Sequence, residues 1–373
     1  MKYSFVTLTF LILLGCTVSK KKLPKKDKDY SFFVGTYTNG KSQGIYKYLL
    51  QKNGKLKLIG LAAKSKNPSY ITKSTDGKFL LAVNELNNHN GAGGTIESFL
   101  ILGDSLKFLS KKPSGGSDPC FITVNKSGYV LTANYSSGSV GLHRLNKNGI
   151  LTNLLDVKQH YGVGVTDRQK GPHAHMAIFK SNTNNFISVD LGTNELWFSK
   201  IDTIHQKLDS IPPFKLAMNL GSGPRHLAFH PNKKWIYVVN ELNNTVTLIK
   251  KVGLNTYKKE VSVATIPKGY AKPNTAAEIK ISSDGKFVYV SNRGYNSIAI
   301  FKVNPLNGYL NLIKQQPTYG EGPRYFMISP NKKYLLVANQ YTNNIVSFKR
   351  DNNTGLLKFV NQIKAPSPVC ILF

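Results

Sequence analysis

Cysteine is scarce in this sequence, with only three residues in 373. They stand at positions 16, 120 and 370, with no CxxC pair and no Cys/His spacing typical of zinc. This pattern excludes a disulfide framework and a zinc ribbon. The sequence also has no Gly-x-Ser-x-Gly elbow and no phosphate-binding glycine loop, so it lacks the common signatures of serine hydrolases and nucleotide enzymes.

Acidic residues are also few: 19 Asp and Glu stand against 50 Lys and Arg, for a net charge of +31. A chain so short of carboxylates offers little for a hard-cation cage, so we expect no metal and no cofactor. The basic surplus raises the hypothesis of nucleic-acid binding. However, the lysines fall mostly in turns, such as Lys233-Lys234 and Lys332-Lys333, and form no stripe with stacking aromatics. We therefore expect no nucleic-acid partner, and anionic lipid or glycan is the better match for this charge.

Long hydrophobic runs are absent except at the N-terminus, where Phe5 to Leu14 follows Lys2. The run is too short for a permanent membrane span and ends in Gly15-Cys16, which resembles a bacterial lipobox. We predict a signal peptide over 1–15, a lipid on Cys16, and a lysine-rich tether over 16–29. The protein would then be anchored to a membrane of the cell envelope. An ordinary signal peptide is the alternative, and a cytoplasmic protein follows if the lipobox interpretation is wrong.

What the sequence does contain is a repeat of about fifty residues. Its clearest copy, 223–249, reads as three short strands joined by turns rich in Asn, Pro and Lys. A close copy covers 323–349, and others begin near Pro68, Pro119, Pro172 and Ala276. The residue that closes the second strand recurs at Asn84, Asn134, Asp190, Asn240, Asn292 and Asn339. A period of this length is typical of a propeller blade.

The two ends of the chain complete a seventh copy. Residues 32–37 supply a second strand with Gly35 at the Asn position, while 368–373 look like a first strand that then stops. Pairing these ends would close the ring and leave no long exposed edge. We therefore predict an all-β, seven-bladed β-propeller over 30–373, existing as a monomer. Cys120 and Cys370 fall in blades that are not neighbours, so we expect two free, buried thiols.

Chemically active residues recur at two positions of the repeat, after the proline and after the Asn. Because strand one runs away from a rim and strand two returns to it, both positions should meet at one mouth of the central channel. The positions after the proline hold His173, His175, Arg225, His226 and Arg324. The positions after the Asn hold Tyr37, Glu85, Tyr135, Glu241, Arg293 and Gln340.

Arginine, carboxylate and imidazole together suit an anionic, oxygen-rich ligand. His and Glu can also transfer protons near neutral pH. The alternative is that these residues form salt bridges between blades, such as Arg225 with Glu241, and only stabilise the rim.

Several of these segments resemble one known family. The segments are Gly171-Pro-His-Ala-His175, Asp190-Leu-Gly192, Gly223-Pro-Arg-His226, Asn240-Glu-Leu-Asn243, Ser291-Asn-Arg-Gly294 and Gly322-Pro-Arg324. They are similar to the lactonase seven-bladed propellers, which include 6-phosphogluconolactonases and are related to the fungal carboxy-muconate lactonising enzyme. The resemblance covers about 31–373.

The resemblance implies hydrolysis of a sugar-acid lactone. Glu241, His173 or His175 would transfer the proton, and which histidine acts is left open. Binding would fall to Arg225 and Arg293, with His226 and Arg324 alongside.

Two observations keep other functions open. A 6-phosphogluconolactone is made in the cytosol, whereas Cys16 indicates export, so the substrate could be another sugar-acid lactone. Propellers also serve as non-catalytic binders of carbohydrate or anionic ligands, and the fungal relative forms a lactone by cycloisomerisation. Turnover of aldonolactones would distinguish lactone hydrolysis from non-catalytic binding and from cycloisomerisation.

Overall fold

The structure is a computed structural model that describes residues 1–3, 28–87 and 93–373. Its strands form seven four-stranded antiparallel sheets, numbered here as blades 1 to 7. The seven-bladed propeller predicted from the repeat is thus confirmed. The predicted signal peptide, Cys16 and most of the tether lie outside the described residues.

The blades are built from strands with the following bounds. Blade 1 contains β1 (Tyr30–Thr36), β2 (Gly44–Leu50), β3 (Leu56–Lys64) and β28 (Pro368–Leu372). Blade 2 contains β4 (Ile71–Lys73), β5 (Phe79–Asn84), β6 (Thr95–Leu102) and β7 (Ser105–Pro113). Blade 3 contains β8 (Pro119–Val124), β9 (Tyr129–Asn134), β10 (Ser139–Arg144) and β11 (Asp156–Gln159).

The remaining blades follow the same order along the chain. Blade 4 contains β12 (Ala174–Phe179), β13 (Asn185–Asp190), β14 (Glu195–Asp202) and β15 (Lys207–Ala217). Blade 5 contains β16 (Pro224–Phe229), β17 (Trp235–Asn240), β18 (Thr245–Lys251) and β19 (Tyr257–Ala264). Blade 6 contains β20 (Thr275–Ile281), β21 (Phe287–Arg293), β22 (Ser297–Val303) and β23 (Leu310–Pro317). Blade 7 contains β24 (Pro323–Ile328), β25 (Tyr334–Asn339), β26 (Asn344–Arg350) and β27 (Leu357–Lys364), and a short 3₁₀ turn lies at Asp167–Gln169.

Burial explains the two kinds of strand in each blade. All six residues of β5 are buried, because the second strand packs against neighbouring blades on both faces. The fourth strand β15 is instead largely exposed, with only Leu208 fully buried among its eleven residues. Because most of β15 is in contact with solvent, its sequence contains polar as well as apolar residues.

The ring closes between the two ends of the chain, as the sequence predicted. Strand β28 pairs antiparallel with β1, placing Ile371 opposite Val34. One core cluster then joins Phe32 and Tyr48 of blade 1 with Leu80 of blade 2 and Leu336 of blade 7. The last strand therefore holds together the apolar contacts of three blades.

The repeated asparagine has a structural role. Asn84, Asn134, Asn292 and Asn339 are fully buried, and each donates a side-chain hydrogen bond to a carbonyl in the loop arriving from the preceding blade. The bond from Asn84 to the Lys66 carbonyl, for example, is 2.8 Å long. At these four positions the repeated residue thus ties successive blades together. Asn240 instead donates to Thr245 and Thr247 of its own blade.

A bulge recurs where the innermost strands begin at the mouth. In blade 5, Pro224 lies opposite Asn240 and His226 opposite Val239, so Arg225 has no partner across the ladder. The same extra residue occurs at Cys120, His175 and Arg324 in their blades. Because a bulge redirects the side chain of the extra residue, the repeat places non-ladder side chains at the channel mouth.

The prediction for the two cysteines is confirmed, whereas the apolar run of residues 5–14 lies outside the described residues. Cys120 and Cys370 are both free and buried. Across the described ranges, no helix has the length and hydropathy needed to cross a membrane.

Candidate active site

The centre of the mouth is one carboxylate shared by three arginines. Glu241, directly after β17, has its Oε2 at 3.0 Å from Nε of Arg225 and at 2.9 Å from Nη2 of Arg293. Its Oε1 accepts a hydrogen bond of 3.1 Å from Nη2 of Arg168. Blade 5 supplies Glu241 and Arg225, the end of β21 supplies Arg293, and the 3₁₀ turn supplies Arg168. Charge at this point is unbalanced, with three guanidinium groups for one carboxylate.

The excess of positive charge changes the pKa values of Glu241 and Arg225. Burial by itself would raise the pKa of Glu241, but the guanidinium groups of Arg293, Arg225 and Arg168 lower that pKa to about 2. Burial and the neighbouring positive charges of Arg293 and Arg324 lower the pKa of Arg225 to about 10. Glu241 is therefore a carboxylate held ionised, and such a group is a weak base.

Some buried guanidinium N–H groups of this cluster lack a well-aligned hydrogen-bond partner. Arg225 donates from Nη1 to the Ala277 carbonyl at 2.7 Å. Within the described residues, however, Nε of Arg225 and both Nε and Nη2 of Arg293 make no well-aligned hydrogen bond. Their approach to Glu241 is close but poorly directed. Buried donors in this state favour an anion or a polarised carbonyl oxygen.

His173 has a fixed tautomer beside this cluster. Its ring stacks on Tyr135 with centroids 4.4 Å apart, and its Nδ1 lies 3.0 Å from the Tyr135 carbonyl oxygen. Because a carbonyl only accepts, Nδ1 carries the proton and a neutral His173 has its lone pair on Nε2. The Tyr135 hydroxyl in turn accepts a 2.7 Å hydrogen bond from Arg168. His173 is thereby connected to the arginine cluster.

Asp190 positions the backbone of His173. One carboxylate oxygen accepts from the amide N–H of His173 at 2.8 Å, and the other contacts Nδ1 of His160 at 2.8 Å. His160 in turn lies 3.1 Å from the Ser188 hydroxyl. This Ser-His-Asp chain has the contacts of a hydrolase triad, but Ser188 is only 1% exposed. It therefore supports His173 and does not reach substrate.

His175 and His226 lie deeper in the channel. Their rings meet edge to face at 5.0 Å, and His175 contacts the Cys120 sulfur at 3.7 Å. Burial, with the positive charge of Arg225, holds the pKa of His175 well below its ordinary value. Burial also lowers the pKa of His226 to about 4, although its Nδ1 lies 3.1 Å from Glu278. Glu278 is further paired with Lys280 at 3.2 Å.

Arg324 occupies the opposite part of the mouth. Its Nη2 lies 3.7 Å from Glu85, and its guanidinium sits over the Tyr37 ring at 5.2 Å. The Tyr37 hydroxyl donates to the other Glu85 oxygen at 2.8 Å. One arginine is here matched by one carboxylate.

The structure divides the residues that the sequence assigned to one site. It brings Glu241, Arg225 and Arg293 into contact, places His173 beside them through Tyr135 and Arg168, and pairs His226 and Arg324 with other carboxylates. The Arg225–Glu241 pair considered as a contact between blades does form, but it lies within blade 5. Glu241 is paired from outside blade 5 by Arg293 and Arg168, while Arg225 reaches blade 6 through its hydrogen bond to the Ala277 carbonyl.

Arg168 was missed by sequence reasoning because it lies outside the repeat. The available signal was the interval of 56 residues from Asn134 to Asp190, the longest of the series, which marks an insertion at the mouth. As for metals, the described ranges contain no group of three or more His, Cys, Asp or Glu side chains that could hold an ion.

Comparison with known proteins gives a consistent result. The family model described as "Lactonase, 7-bladed beta-propeller" matches residues 31–373. The 6-phosphogluconolactonase of Bacillus subtilis is 35% identical over 92% of this chain and 98% of its own length. A 6-phosphogluconolactonase of Formosa agariphila is 34% identical over 88% of this chain and 95% of its own.

Solved structures agree with these relatives. The periplasmic gluconolactonase of Pseudomonas aeruginosa superposes with a TM-score of 0.86 at 28% identity, covering 92% of this chain and 98% of that one. The match to the family model spans the whole propeller and includes every residue of the arginine cluster. The chain therefore belongs to the lactonase family of seven-bladed β-propellers.

Proposed function

We propose that this protein hydrolyses a sugar-acid lactone at the channel mouth, between the arginines around Glu241 and the side chain of His173. The observation that carries the proposal is the set of buried guanidinium N–H groups of Arg225 and Arg293 without aligned partners. They lie in the same cluster as a histidine whose Nε2 is left to act as a base.

The reaction requires a base and a stabilised oxyanion. Nε2 of His173 takes a proton from water as the water oxygen bonds to the lactone carbonyl carbon. The N–H groups of Arg225 and Arg293 stabilise the negative charge that develops on the carbonyl oxygen. When the bond from that carbon to the ring oxygen breaks, the His173 imidazolium returns the proton to the leaving oxygen. One lactone and one water thus give one hydroxy acid.

Glu241 holds the arginines in this proposal and leaves proton transfer to His173. A carboxylate with a pKa of about 2 takes up protons poorly near neutral pH. His175 is fully enclosed among Cys120, Tyr135 and His226, so it supports the pocket from below. His173 is half-buried and closer to solvent.

The substrate class follows from the relatives. Two are named 6-phosphogluconolactonase and one structural neighbour is named a periplasmic gluconolactonase, so an aldonolactone is favoured. We also propose that the chain is exported and anchored through Cys16, which favours an unphosphorylated lactone. Cell fractionation tests this point: Cys16→Ser should move the protein out of the membrane fraction. Wild-type protein found in the cytosol with Met1 intact would favour the phosphorylated substrate.

The activity is tested with a panel of aldonolactones, with and without a 6-phosphate, by following acid release at constant pH. Wild-type protein should hydrolyse at least one of them far above the uncatalysed rate. Saturable binding of a sugar acid without turnover would instead identify a binding protein. Lactone formation from an unsaturated carboxylic acid would identify a cycloisomerase.

A further inference from the structure

The two faces of the ring differ in charge. Each blade's first and second strands, and its third and fourth, are joined by turns on the face away from the mouth. In the described residues those turns carry eleven lysines and four aspartates, whereas the connections on the mouth face carry six basic and five acidic residues. The face away from the mouth is therefore the strongly basic one, and we call it the distal face.

Three adjacent blades also project large aliphatic side chains from the distal face. Ile204 in blade 4, Leu254 in blade 5 and Leu306 in blade 6 occupy the outer hairpin turns and are 85%, 83% and 90% exposed. Each blade of the three also carries an exposed lysine at that face: Lys207, Lys234 and Lys286 respectively. In the described part of the chain none of these three lysines forms an ion pair.

We propose that the distal face binds an anionic lipid bilayer, with Ile204, Leu254 and Leu306 inserted at the headgroup boundary. Lysines attract anionic headgroups, and protruding aliphatic side chains gain free energy by leaving water for the acyl region. A soluble polyanion would explain the lysines but not the three aliphatic tips. Lysines together with exposed aliphatic side chains therefore favour a bilayer over a soluble polyanion as the partner.

The path of the chain agrees with this orientation. Strand β1 runs from Tyr30 at the distal face toward Thr36 at the mouth, where Thr36 lies opposite Pro368. The segment before Tyr30 therefore leaves the propeller on the distal face. A bilayer bound there leaves the channel mouth, with Arg225 and His173, facing away from the membrane and open to substrate.

Vesicle sedimentation of the full chain tests the proposal. A Cys16→Ser background removes any acyl chain, and binding is compared between phosphatidylcholine vesicles and vesicles that contain 30% phosphatidylglycerol. One variant carries Lys207→Glu, Lys234→Glu and Lys286→Glu. Its matched control carries Lys41→Glu, Lys268→Glu and Lys272→Glu on the mouth face, with the same change in net charge. A third variant carries Ile204→Ser, Leu254→Ser and Leu306→Ser, with Leu220→Ser on the mouth face as its control.

We expect wild type to prefer anionic vesicles, and the distal lysine variant to bind them at least about tenfold more weakly. The three serine substitutions should weaken binding several-fold, while both mouth-face controls change it less than twofold. Melting temperatures confirm that each variant is folded. Equal losses from distal and mouth-face lysines would overturn the proposal, because binding would then follow net charge alone. Loss with the lysine variant but not with the serine variant would also overturn insertion and indicate a soluble polyanion.

A second measurement reports which face of the bound protein contacts the bilayer. An environment-sensitive dye on Leu254→Cys should shift its emission to the blue with anionic vesicles, whereas the same dye on Leu220→Cys should not. Both dye variants carry Cys16→Ser, and the remaining native thiols Cys120 and Cys370 are buried and should not compete for the dye. A blue shift at Leu220→Cys alone would place the membrane at the mouth and contradict the proposal.

Discussion

The two sides of the channel mouth use the same repeat positions but balance their charges differently. On one side, Nη2 of Arg324 lies 3.7 Å from one oxygen of Glu85, and the Tyr37 hydroxyl donates to the other oxygen of that carboxylate. On the other, Glu241 is shared by Arg168, Arg225 and Arg293. The first side has one arginine for one carboxylate, whereas the second has an excess of positive charge and guanidinium N–H groups without aligned partners.

We interpret this difference as separating a structural pair from the proposed binding site. A buried charge that already has its partner stabilises little beyond its own desolvation cost. A buried surplus of guanidinium groups is costly in the free protein, and an anion or a developing oxyanion would relieve it. The number of arginines for each carboxylate therefore indicates function better than the presence of arginine at the rim.

The largest expected effect concerns His173. His173→Gln keeps a side-chain N–H to donate to the Tyr135 carbonyl but removes the base, so kcat should fall roughly 10²- to 10⁴-fold. Tyr37→Phe on the balanced side should change kcat less than about fivefold. Steady-state kinetics with the best aldonolactone would measure both. A wild-type kcat in His173→Gln would show that another residue is the general base.

Neutralising the carboxylate on each side of the mouth compares the two sides by their effect on the free energy of unfolding. Glu241→Gln leaves three guanidinium groups without a counter-charge and should lower the free energy of unfolding by about 3–5 kcal/mol. Glu85→Gln leaves one arginine beside Tyr37 and should cost about 1–3 kcal/mol. Chemical denaturation of both variants gives the difference. Equal costs would show that the three-to-one arrangement has no energetic consequence.

On acidification, stability should fall first because buried His226, deeper in the channel, becomes protonated. Burial lowers the pKa of His226 to about 4, whereas a histidine in the unfolded chain titrates near 6.5. Between these values the unfolded state binds more protons, so stability falls as the pH drops from about 6.5 to 4, by about 3 kcal/mol for this group. The carboxylates of Glu241 and Glu278, with pKa values of about 2, lose their contribution only below about pH 4.5.

A melting-temperature profile against pH checks this order. His226→Gln should reduce the fall between pH 6.5 and 4, to which the buried His143 and His175 contribute in the same direction, and should leave the fall below pH 4.5 in place. An unchanged profile in the variant would show that His226 is not kept neutral by its surroundings.

The sequence predicted the ring because each blade repeats the ties that build it. Asn84, Asn134, Asn292 and Asn339 recur because four blades use the same bond to the preceding loop. The closing strand at Pro368 was predicted because a propeller cannot leave the partner of β1 unfilled. Such features are local and periodic, so a single sequence is enough to show them.

The division of the mouth could not be predicted in the same way. Arg324 and Arg225 occupy equivalent positions after a proline, yet one meets Glu85 and the other Glu241 with two more arginines. Which carboxylate each reaches depends on distances across the channel, and Arg168 enters from an insertion outside the repeat. The fixed tautomer of His173 likewise depends on the Tyr135 carbonyl, a main-chain contact without sequence signature.

One matched pair of variants tests the central claim most directly. Arg293→Gln and Arg324→Gln make the same change on the two sides of the mouth, and kcat/KM for one aldonolactone is measured in both. We predict a loss of at least about a hundredfold for Arg293→Gln, because an oxyanion partner is removed. Arg324→Gln should lose less than about fivefold, with a lower melting temperature. Equal losses in the two folded variants, or full activity in Arg293→Gln, would contradict the assignment of the arginine-rich side as the active site.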